Sequence, residues 1–455
     1  MVASPVNTAV AETGRAEIRA ILRLAAPLVL AEIGWMMMGV VDTVMVGRVG
    51  ANAIGAISIA TSLFYNIGIF AGGLLFGLDT LVSRAFGSGD PEECRSWAIQ
   101  GLWLALMLIL PVMGVVEAII PLLGRMGIDR GVLADAQPYM RAINWSAAPL
   151  LIFFALRRYL QGQHVVRPIM FSLVTANLVN IFGNWIFVFG NLGAPKLGAV
   201  GSGWSTCISR VYMMAVLAYA AWRHDPGLLK RPWRPDPKRI AALMDLGLPA
   251  AAQMGFEIAV FSTVTVLIGR LNATALAGHQ IALATISTTF MAPLGISAAA
   301  AVRVGTAIGR GDPRSAARAG WTALAMGGGV MACSALALLL APRLIAELFT
   351  PEAPIIAAGV TLLRIAAFFQ LFDGLQVVAT GALRGAGDTR TPMICHFTGY
   401  WVIGLPLGAV LAFPYKLGAP GLWMGLSTAL ILIGSVLVLV WRRTVRRLSV
   451  SQTAE

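Results

Sequence analysis

Charged side chains are scarce in this sequence. Asp, Glu, Lys and Arg make up 12% of its 455 residues, whereas a soluble domain carries about 25%. Hydrophobic residues account for 58%, and the mean hydropathy is +0.78. This composition excludes an ordinary water-soluble globular protein and predicts a chain that folds in a lipid bilayer.

Cysteine is also rare. The four cysteines, Cys94, Cys207, Cys333 and Cys395, lie singly and far apart. They form neither the paired spacing of a zinc site nor a disulfide framework, so we interpret them as apolar filler. The N-terminal residues contain no recognisable cleavable signal, and we expect the first apolar span to direct membrane insertion.

The motifs of intramembrane enzymes are missing as well. The sequence contains no H-E-x-x-H, no paired Asp-rich motif for prenyl diphosphates and no Ser/His arrangement on neighbouring helical turns. We therefore predict that the protein is not an enzyme and has no cofactor. An intramembrane enzyme remains the alternative from a different functional class.

What the sequence does contain is long apolar runs. A helix needs roughly 20 residues to cross a bilayer. Twelve runs reach about this length: 25–47, 55–80, 94–118, 134–157, 168–190, 200–222, 242–268, 276–303, 317–340, 356–382, 391–413 and 421–442. The predicted fold is an all-α polytopic membrane protein with twelve transmembrane helices.

The sequence also repeats itself. A shift of 222 residues aligns Pro27–Pro91 with Pro249–Pro313 without a gap, and it matches Gly, Arg, Asp and Pro at the ends of the predicted helices. We predict two pseudo-symmetric lobes of six helices each, an N-lobe over residues 1–222 and a C-lobe over 240–455, joined by a linker over 223–239. Six helices per copy give both copies the same orientation in the membrane.

The net charge of +13 has a simple explanation in the distribution of basic residues. By our assignment 24 of the 34 Lys and Arg lie on one side of the membrane, at the termini, in the linker and at alternate helix ends, eight lie on the other side, and Arg210 and Arg364 fall inside helices. The positive-inside rule then places both termini and the linker in the cytoplasm. A nucleic-acid partner is unnecessary.

A few acids lie where a bilayer should exclude them. Asp42, Glu257 and Asp373 fall in the first, seventh and tenth predicted spans. A carboxylate at the bilayer centre costs about 2.5 kcal/mol or more, so each is expected to face a cavity or a partner. The alternative is a structural hydrogen bond between two helices. Asp79, near a helix end, is predicted to pair with Arg84 for structural reasons.

Amides accompany these acids. Asn180 and Asn184 are four residues apart and share one helix face, where they could line a site or join two helices. Further candidates for polar cavity residues are Gln253, His279, Gln280, Gln370 and Gln376. The acids do not follow the repeat, because Asp42 aligns with Val264 and Glu257 with Trp35. The two lobes are therefore expected to have different roles.

Several short segments resemble the hallmark segments of multidrug and toxin extrusion (MATE) transporters, in particular the NorM-like bacterial branch. They occur in the family's order over nearly the whole chain: Met38–Met45, Phe256–Glu257, Ala277–Gln280, Phe372–Gln376 and Leu383–Asp388. The resemblance implies two six-helix lobes around a V-shaped central cavity. It also implies export of organic cations in exchange for Na⁺ or H⁺.

The resemblance further assigns roles to residues. Glu257 and Asp373 match the ion-coupling carboxylates of the C-lobe, and they would be the metal ligands if the ion is Na⁺. Asp42, with Asn180 and Asn184 nearby, matches the proton or substrate site of the N-lobe. One position departs from the pattern: Phe369 stands where sodium-coupled relatives have a tyrosine. The NorM likeness favours Na⁺ and Phe369 weakens that case, which leaves Na⁺ as the expected coupling ion and H⁺ as the alternative.

The predicted function is a secondary active antiporter for amphipathic organic cations that works by alternating access. Its expected partners are small organic cations and membrane lipids, and a monomer is expected. A lipid-linked precursor flippase of the same superfold is the nearest alternative, but its cavity should be strongly cationic to bind phosphates. A channel is also compatible with the hydropathy, whereas duplicated lobes suit alternating access better.

Overall fold

The computed structural model describes residues 14–125, 128–230 and 232–451, and within them every regular element is helical. Short 3₁₀ turns occupy Leu74–Phe76, Asn191–Gly193 and Pro226–Lys230, and a π-helix occupies Phe397–Gly404. The α-helices are α1 Gly14–Gly47, α2 Ala51–Gly73, α3 Gly77–Gly87, α4 Pro91–Leu123, α5 Arg130–Asn144, α6 Ala147–Gly162, α7 Arg167–Phe187, α8 Ala199–His224, α9 Pro237–Gly269, α10 Ala273–Gly309, α11 Pro313–Leu340, α12 Pro342–Glu347, α13 Ala353–Gly385, α14 Arg390–His396, α15 Leu405–Ala412 and α16 Ala419–Ser451.

The helices account for the predicted spans. In the described part of the chain, 10 helical segments are long and apolar enough to cross a membrane, and α5 with α6, bent by 46°, gives an eleventh. The remaining predicted span is α8, whose 26 residues do not reach the same hydropathy because buried serines, a threonine and Arg210 lie along it. The predicted all-α polytopic fold is confirmed.

The sequence repeat builds the same turn twice. Gly87–Pro91 joins α3 to α4, and Gly309–Pro313 joins α10 to α11. In each turn the second glycine has a positive φ, +74° and +70°, which only glycine adopts without strain. The following aspartate caps the next helix through a bond from the backbone N–H of Glu93 or Ser315, both 2.9 Å, and proline occupies the first turn.

The described residues form two compact units. Unit 1 contains the residues up to Val29, Ser83–Gly89 and those from Ala252 onward, and unit 2 contains Leu30–Val82 and Asp90–Ala251. Helix α1 therefore begins in unit 1 and ends in unit 2, whereas α9 does the reverse. The predicted lobes follow the sequence repeat and divide the chain at the linker, whereas these units are defined by contacts. The lobe boundaries therefore stay a prediction.

Close backbone contacts fix the first halves of α1 and α9 in their units. In unit 1, a Cβ on Gly295 of α10 would lie 2.8 Å from the backbone nitrogen of Val29. In unit 2, a Cβ on Gly247 of α9 would lie 1.9 Å from the carbonyl oxygen of Leu74. No side chain fits at either glycine, and small residues of this kind let membrane helices approach closely.

The described residues of the linker on both sides of position 231 are held against α4. Arg95 of α4 donates to Asp225 (2.7 Å), while the buried Gln100 donates to the carbonyl of Arg234 (3.0 Å) and accepts from the N–H of Asp236 (2.8 Å). Burial opposes the charged form of Asp225, but the hydrogen bond and charge of Arg95 outweigh it and hold the pKa of Asp225 below its ordinary value.

Candidate functional site

Two carboxylates meet inside unit 1. Glu257 lies on α9, and Asp373 lies on α13. The side-chain amide of Gln376, one turn after Asp373, donates to Asp373 Oδ1 (3.2 Å) and to Glu257 Oε1 (3.3 Å). Gln253, one turn before Glu257, donates to the other Glu257 oxygen (3.1 Å). One amide group thus bridges both acids.

A histidine completes this group. His396 on α14 is fully buried. Its Nε2 lies 2.6 Å from Gln376 Oε1 and 4.0 Å from Glu257 Oε2, and its Nδ1 lies 2.8 Å from the carbonyl oxygen of Pro392. We call Glu257, Asp373, Gln376 and His396 the unit 1 cluster. It contains three ionisable side chains joined through one amide.

The hydrogen bonds of the unit 1 cluster have two self-consistent arrangements. With the Gln376 amide nitrogen toward the acids, both ring nitrogens of His396 face carbonyl oxygens, an arrangement that accepts a proton on the imidazole because an imidazolium would donate through both. If the amide turns over, its nitrogen faces a neutral His396 and its oxygen faces the acids. One carboxyl group must then carry the proton to donate to that oxygen. The cluster can therefore hold a proton at either end of Gln376.

The helix geometry around His396 is irregular. Directly after α14 the chain forms the π-helix Phe397–Gly404, a rare conformation that is frequent at functional sites. It carries the fully buried Tyr400, whose ring centroid lies 5.8 Å from that of His396. Trp401 ties the segment to α9 by donating to the carbonyl of Phe256 (3.1 Å). The π-helix thus holds α14 beside Glu257.

The other candidate residues of unit 1 lie outside the cluster. His279 bonds to Thr265 (2.8 Å) and accepts from Trp423 (3.1 Å). Gln370 donates to Thr289 and Ser334 (2.6 and 2.9 Å), and Gln280 is exposed. Phe369 is buried against Trp423, with ring centroids 6.1 Å apart, and supplies no oxygen. Among residues 14–125, 128–230 and 232–451, no three His, Cys, Asp or Glu side chains are grouped as a metal site.

A second polar site lies inside unit 2 around Asp42 of α1. Asn184 of α7 donates to one carboxylate oxygen (2.7 Å), and Thr206 of α8 donates to the other (2.9 Å). Asn180 accepts from Asn184 (3.2 Å) and donates to Thr206 (3.4 Å). The structure thus brings together all three residues that the sequence assigns to the N-lobe site. Every side chain here is nearly or fully buried.

The remaining buried acids belong to ion pairs. Glu32 pairs with Arg157, and Glu17 pairs with Arg303. The predicted pairing of Asp79 with Arg84 is wrong. Arg158 (3.1 Å) and Gln161 (3.2 Å), both on α6, donate to the Asp79 carboxylate, whereas Arg84 donates to the carbonyl of Ala386 (2.6 Å). Arg84 is close to Asp79 in sequence, whereas Arg158 comes close to Asp79 only through the packing of α6.

Sequence reasoning missed His396 and Thr206. His396 lies inside the predicted span 391–413, and an ionisable residue within a span is itself a signal of function. Thr206 gave no such signal, because a threonine in an apolar helix commonly bonds to its own backbone. Its contact with Asp42 depends on how α8 packs against α1.

The MatE family model matches residues 27–186 and 249–410 of this chain, and both matches begin at the prolines that open the sequence repeat. Among similar curated proteins, "Probable multidrug resistance protein NorM" of Brucella suis biovar 1 (strain 1330) is 35% identical over 444 residues, covering 94% of this chain and 93% of the relative. "Multidrug resistance protein NorM" of Aliivibrio fischeri (strain ATCC 700601 / ES114) is 34% identical over 444 residues, covering 94% and 96%.

Solved structures show the same fold. The eukaryotic MATE transporter AtDTX14 superposes with a TM-score of 0.86 at 21% identity, covering 96% of this chain and 98% of its own. An outward-facing MATE family transporter of the MOP superfamily gives a TM-score of 0.83 at 20% identity, covering 95% and 96%. The resemblance in the sequence motifs is thereby confirmed, and this chain belongs to the MatE family, the multidrug and toxin extrusion transporters.

Proposed function

We propose that this protein is a secondary active antiporter that exports amphipathic organic cations in exchange for Na⁺ or H⁺. The observation that carries the proposal is the unit 1 cluster, in which Glu257 and Asp373 lie within reach of one amide nitrogen inside a membrane-spanning unit. The names of the NorM relatives, which are multidrug resistance proteins, support drugs as the class of substrate.

Electrostatics supplies the coupling. Two carboxylates in a poorly polarisable surrounding repel each other, and a proton or Na⁺ between them removes that repulsion. The cation therefore binds most tightly to the conformation in which the acids are closest and least hydrated. A ligand that prefers one of two conformations shifts the population toward it, so cation binding drives the transporter between its two access states.

His396 gives a reason to favour H⁺ as the coupling ion. Na⁺ prefers several oxygen ligands, but the Gln376 oxygen bonds to His396 and Phe369 offers none. A proton needs no such cage, since the cluster accommodates it on His396 or on a carboxyl group. The carboxylates of Glu257 and Asp373 remain the ligands for Na⁺ if the protein uses that ion.

Asp42, Asn180 and Asn184 are proposed to form a separate site for a proton or for the cationic group of the substrate. The three hydrogen-bond donors and acceptors around Asp42 come from α7 and α8, so a change of charge on Asp42 alters how three helices of unit 2 pack. The protein is proposed to lie in the inner membrane with both termini and the linker in the cytoplasm, supported by the distribution of Lys and Arg.

Transport in everted membrane vesicles tests the proposal. Everted vesicles from a pump-deficient bacterium expressing the protein are supplied from outside with an organic cation such as ethidium, and a gradient of H⁺ or of Na⁺, with the ion more concentrated inside, is imposed separately. Accumulation that follows one of the two gradients supports antiport and identifies the ion. Accumulation that depends on neither gradient, or only of anionic compounds, contradicts it.

A further inference from the structure

A pocket of about 400 Å³ opens at one end of unit 1. The turn between α9 and α10 and the beginnings of α10, α13 and α16 form it. Most of the residues that line it are apolar, among them Leu271, Ala275, Ala358, Leu362, Leu417 and Ala419. Two polar lining residues, Asn272 and Thr361, are exposed, so the pocket is open to the surroundings of the protein. Its volume lies in the range of about 300–1,000 Å³ that is usual for ligand sites.

The pocket lies at the level where the helices leave the bilayer. Helix α9 ends at Gly269, and α16 starts at Ala419. The loop before α16 carries Tyr415, which is 70% exposed, and tyrosine is enriched at the membrane–water interface. In the proposed orientation this end of α9 is the outer one. The pocket therefore lies among the head groups of the outer leaflet.

Two basic residues adjoin the pocket. Arg270 immediately precedes Leu271, Lys416 immediately precedes Leu417, and both basic residues are exposed. A Cβ on Gly418 would lie 3.8 Å from Leu271 Cδ1, so the two segments that carry the cations are direct neighbours. Neither basic side chain forms an ion pair or a hydrogen bond within the described part of the chain. Two unpaired positive charges thus flank an apolar pocket.

The sequence repeat retains this pair of cations. Eight basic residues are assigned to the outer side of the membrane: Arg48, Arg125, Arg130, Arg141, Lys196, Arg270, Arg343 and Lys416. Arg48 aligns with Arg270 at the shift of 222 residues, and Lys196 aligns with Lys416 at a shift of 220. Basic residues on the outer side oppose the positive-inside rule, yet both copies keep these two although their acids have diverged. The pair therefore has a role other than setting the orientation.

We infer that the pocket holds an acyl chain of one anionic phospholipid of the outer leaflet, and that Arg270 and Lys416 bind its phosphate group. Basic sites between membrane helices bind anionic head groups, and the apolar lining suits a hydrocarbon chain. The same two charges repel organic cations, so this pocket is separate from the route of the proposed transport substrates. The choice of the outer leaflet rests on the proposed orientation.

The test is photo-crosslinking of the purified protein, in a neutral detergent, with phosphatidylglycerol that carries a diazirine on one acyl chain. We expect the labelled peptides to include residues 271–275 or 358–362, which line the pocket. Unlabelled phosphatidylglycerol should compete for this labelling about 25-fold more effectively than phosphatidylcholine with the same chains, because each of the two basic residues contributes about fivefold. Labelling confined to other parts of the chain overturns the inference.

Charge removal tests the contact with the phosphate. Arg270→Gln combined with Lys416→Asn should bring the competition ratio to about one, and asparagine suits the φ of +57° at Lys416. The matched control, Arg48→Gln combined with Lys196→Asn, removes the same charges from unit 2 and should leave the ratio at about 25. An equal fall in both double variants shows a general attraction to surface charge and overturns the inference.

A steric variant tests the position of the acyl chain. Thr361→Trp places a large ring at the exposed edge of the pocket and should lower the labelling of residues 271–275 and 358–362. Unchanged labelling in a folded Thr361→Trp protein overturns the inference. If inorganic phosphate displaces the probe at the same concentration as phosphatidylglycerol does, the site binds free phosphate and the inference is wrong.

These measurements use no transport substrate and no ion gradient, which separates the inference from the proposed function. A protein that shows the lipid selectivity but no antiport in vesicles overturns only the proposed function. A protein that exports ethidium but binds both lipids equally at the pocket overturns only this inference.

Discussion

Removal of the Glu257 charge should abolish gradient-driven export while leaving the protein folded. One Gln376 nitrogen lies 3.3 Å from a Glu257 oxygen and 3.2 Å from an Asp373 oxygen, so those oxygens are at most about 6.5 Å apart. At an effective dielectric constant of about 20, two unit charges at that distance repel by about 2.5 kcal/mol. Glu257→Gln removes this repulsion, which corresponds to a loss on the order of 50- to 100-fold in affinity for the coupling cation.

The assay is efflux of ethidium from energised cells, first with ΔpH alone and then with the proton gradient collapsed and a Na⁺ gradient imposed. We expect Glu257→Gln to reach wild-type abundance and to lose export driven by the coupling ion, because glutamine keeps the shape and most hydrogen bonds of the side chain. Glu257→Asp, which keeps the charge, should retain part of the activity. The matched control is Glu117→Gln, which removes an exposed acid of α4.

Two outcomes would refute this reasoning. Export by Glu257→Gln at the wild-type rate and abundance would show that the charge is not needed for coupling. Poor abundance with normal transport per molecule would show that Glu257 is only a structural hydrogen-bonding group. Export that follows Na⁺ alone in the wild type would reject the preference for H⁺ that is based on His396.

Three further predictions concern other parts of the molecule. Asp42→Asn should reduce export while the ion dependence of the remaining transport is unchanged, as measured by efflux under each gradient, and a changed ion dependence would contradict separate roles for the two sites. Cysteines introduced at Trp233 or Lys238 should resist an impermeant thiol reagent in intact cells and react in everted vesicles. Ready labelling in intact cells would show that the linker lies outside the cell. Because the pKa of Asp225 is lowered in the folded protein, its pairing with Arg95 stabilises the protein above the ordinary pKa of about 4 and is lost as the pH falls through the lowered value. The Tm of Asp225→Asn should therefore lie below that of the wild type at neutral pH and converge with it in acid, and a pH-independent difference would be evidence against this role.

The helical fold could be predicted from the sequence because a bilayer restricts which backbone structures can cross it. Spans of apolar residues must be helices, and the Gly-Asp-Pro turns of the repeat determine where two of them begin. The short breaks within spans could not be predicted: the bend between α5 and α6 and the π-helix before α15 depend on tertiary packing. The ordered path of the linker depends on Gln100, whose amide satisfies two backbone groups that lie over 130 residues away in sequence.

The candidate sites were predictable to the extent that single residues stand out against an apolar background. Asp42, Glu257 and Asp373 did so because each is an acid in a span, and Gln253 and Gln376 lie beside Glu257 and Asp373 in the structure. Partners were harder to predict. The prediction paired Asp79 with Arg84, the nearest arginine in sequence. It is wrong because α6 packs near Asp79 and places Arg158 within hydrogen-bonding distance of its carboxylate. The role of His396 depends on the groups that face it, Gln376 and Glu257.

The path of α1 has a consequence for biosynthesis. Its first described residues belong to unit 1, yet most of that unit is translated more than 200 residues later. Glu17 is buried in the finished protein, and its partner Arg303 leaves the ribosome only when more than half of the chain has been made. A nascent chain that ends at the linker can assemble most of unit 2. The start of α1 then still lacks the unit 1 helices against which it packs. Unit 1 is therefore completed last, and the first described residues of α1 are among the latest to reach their final contacts.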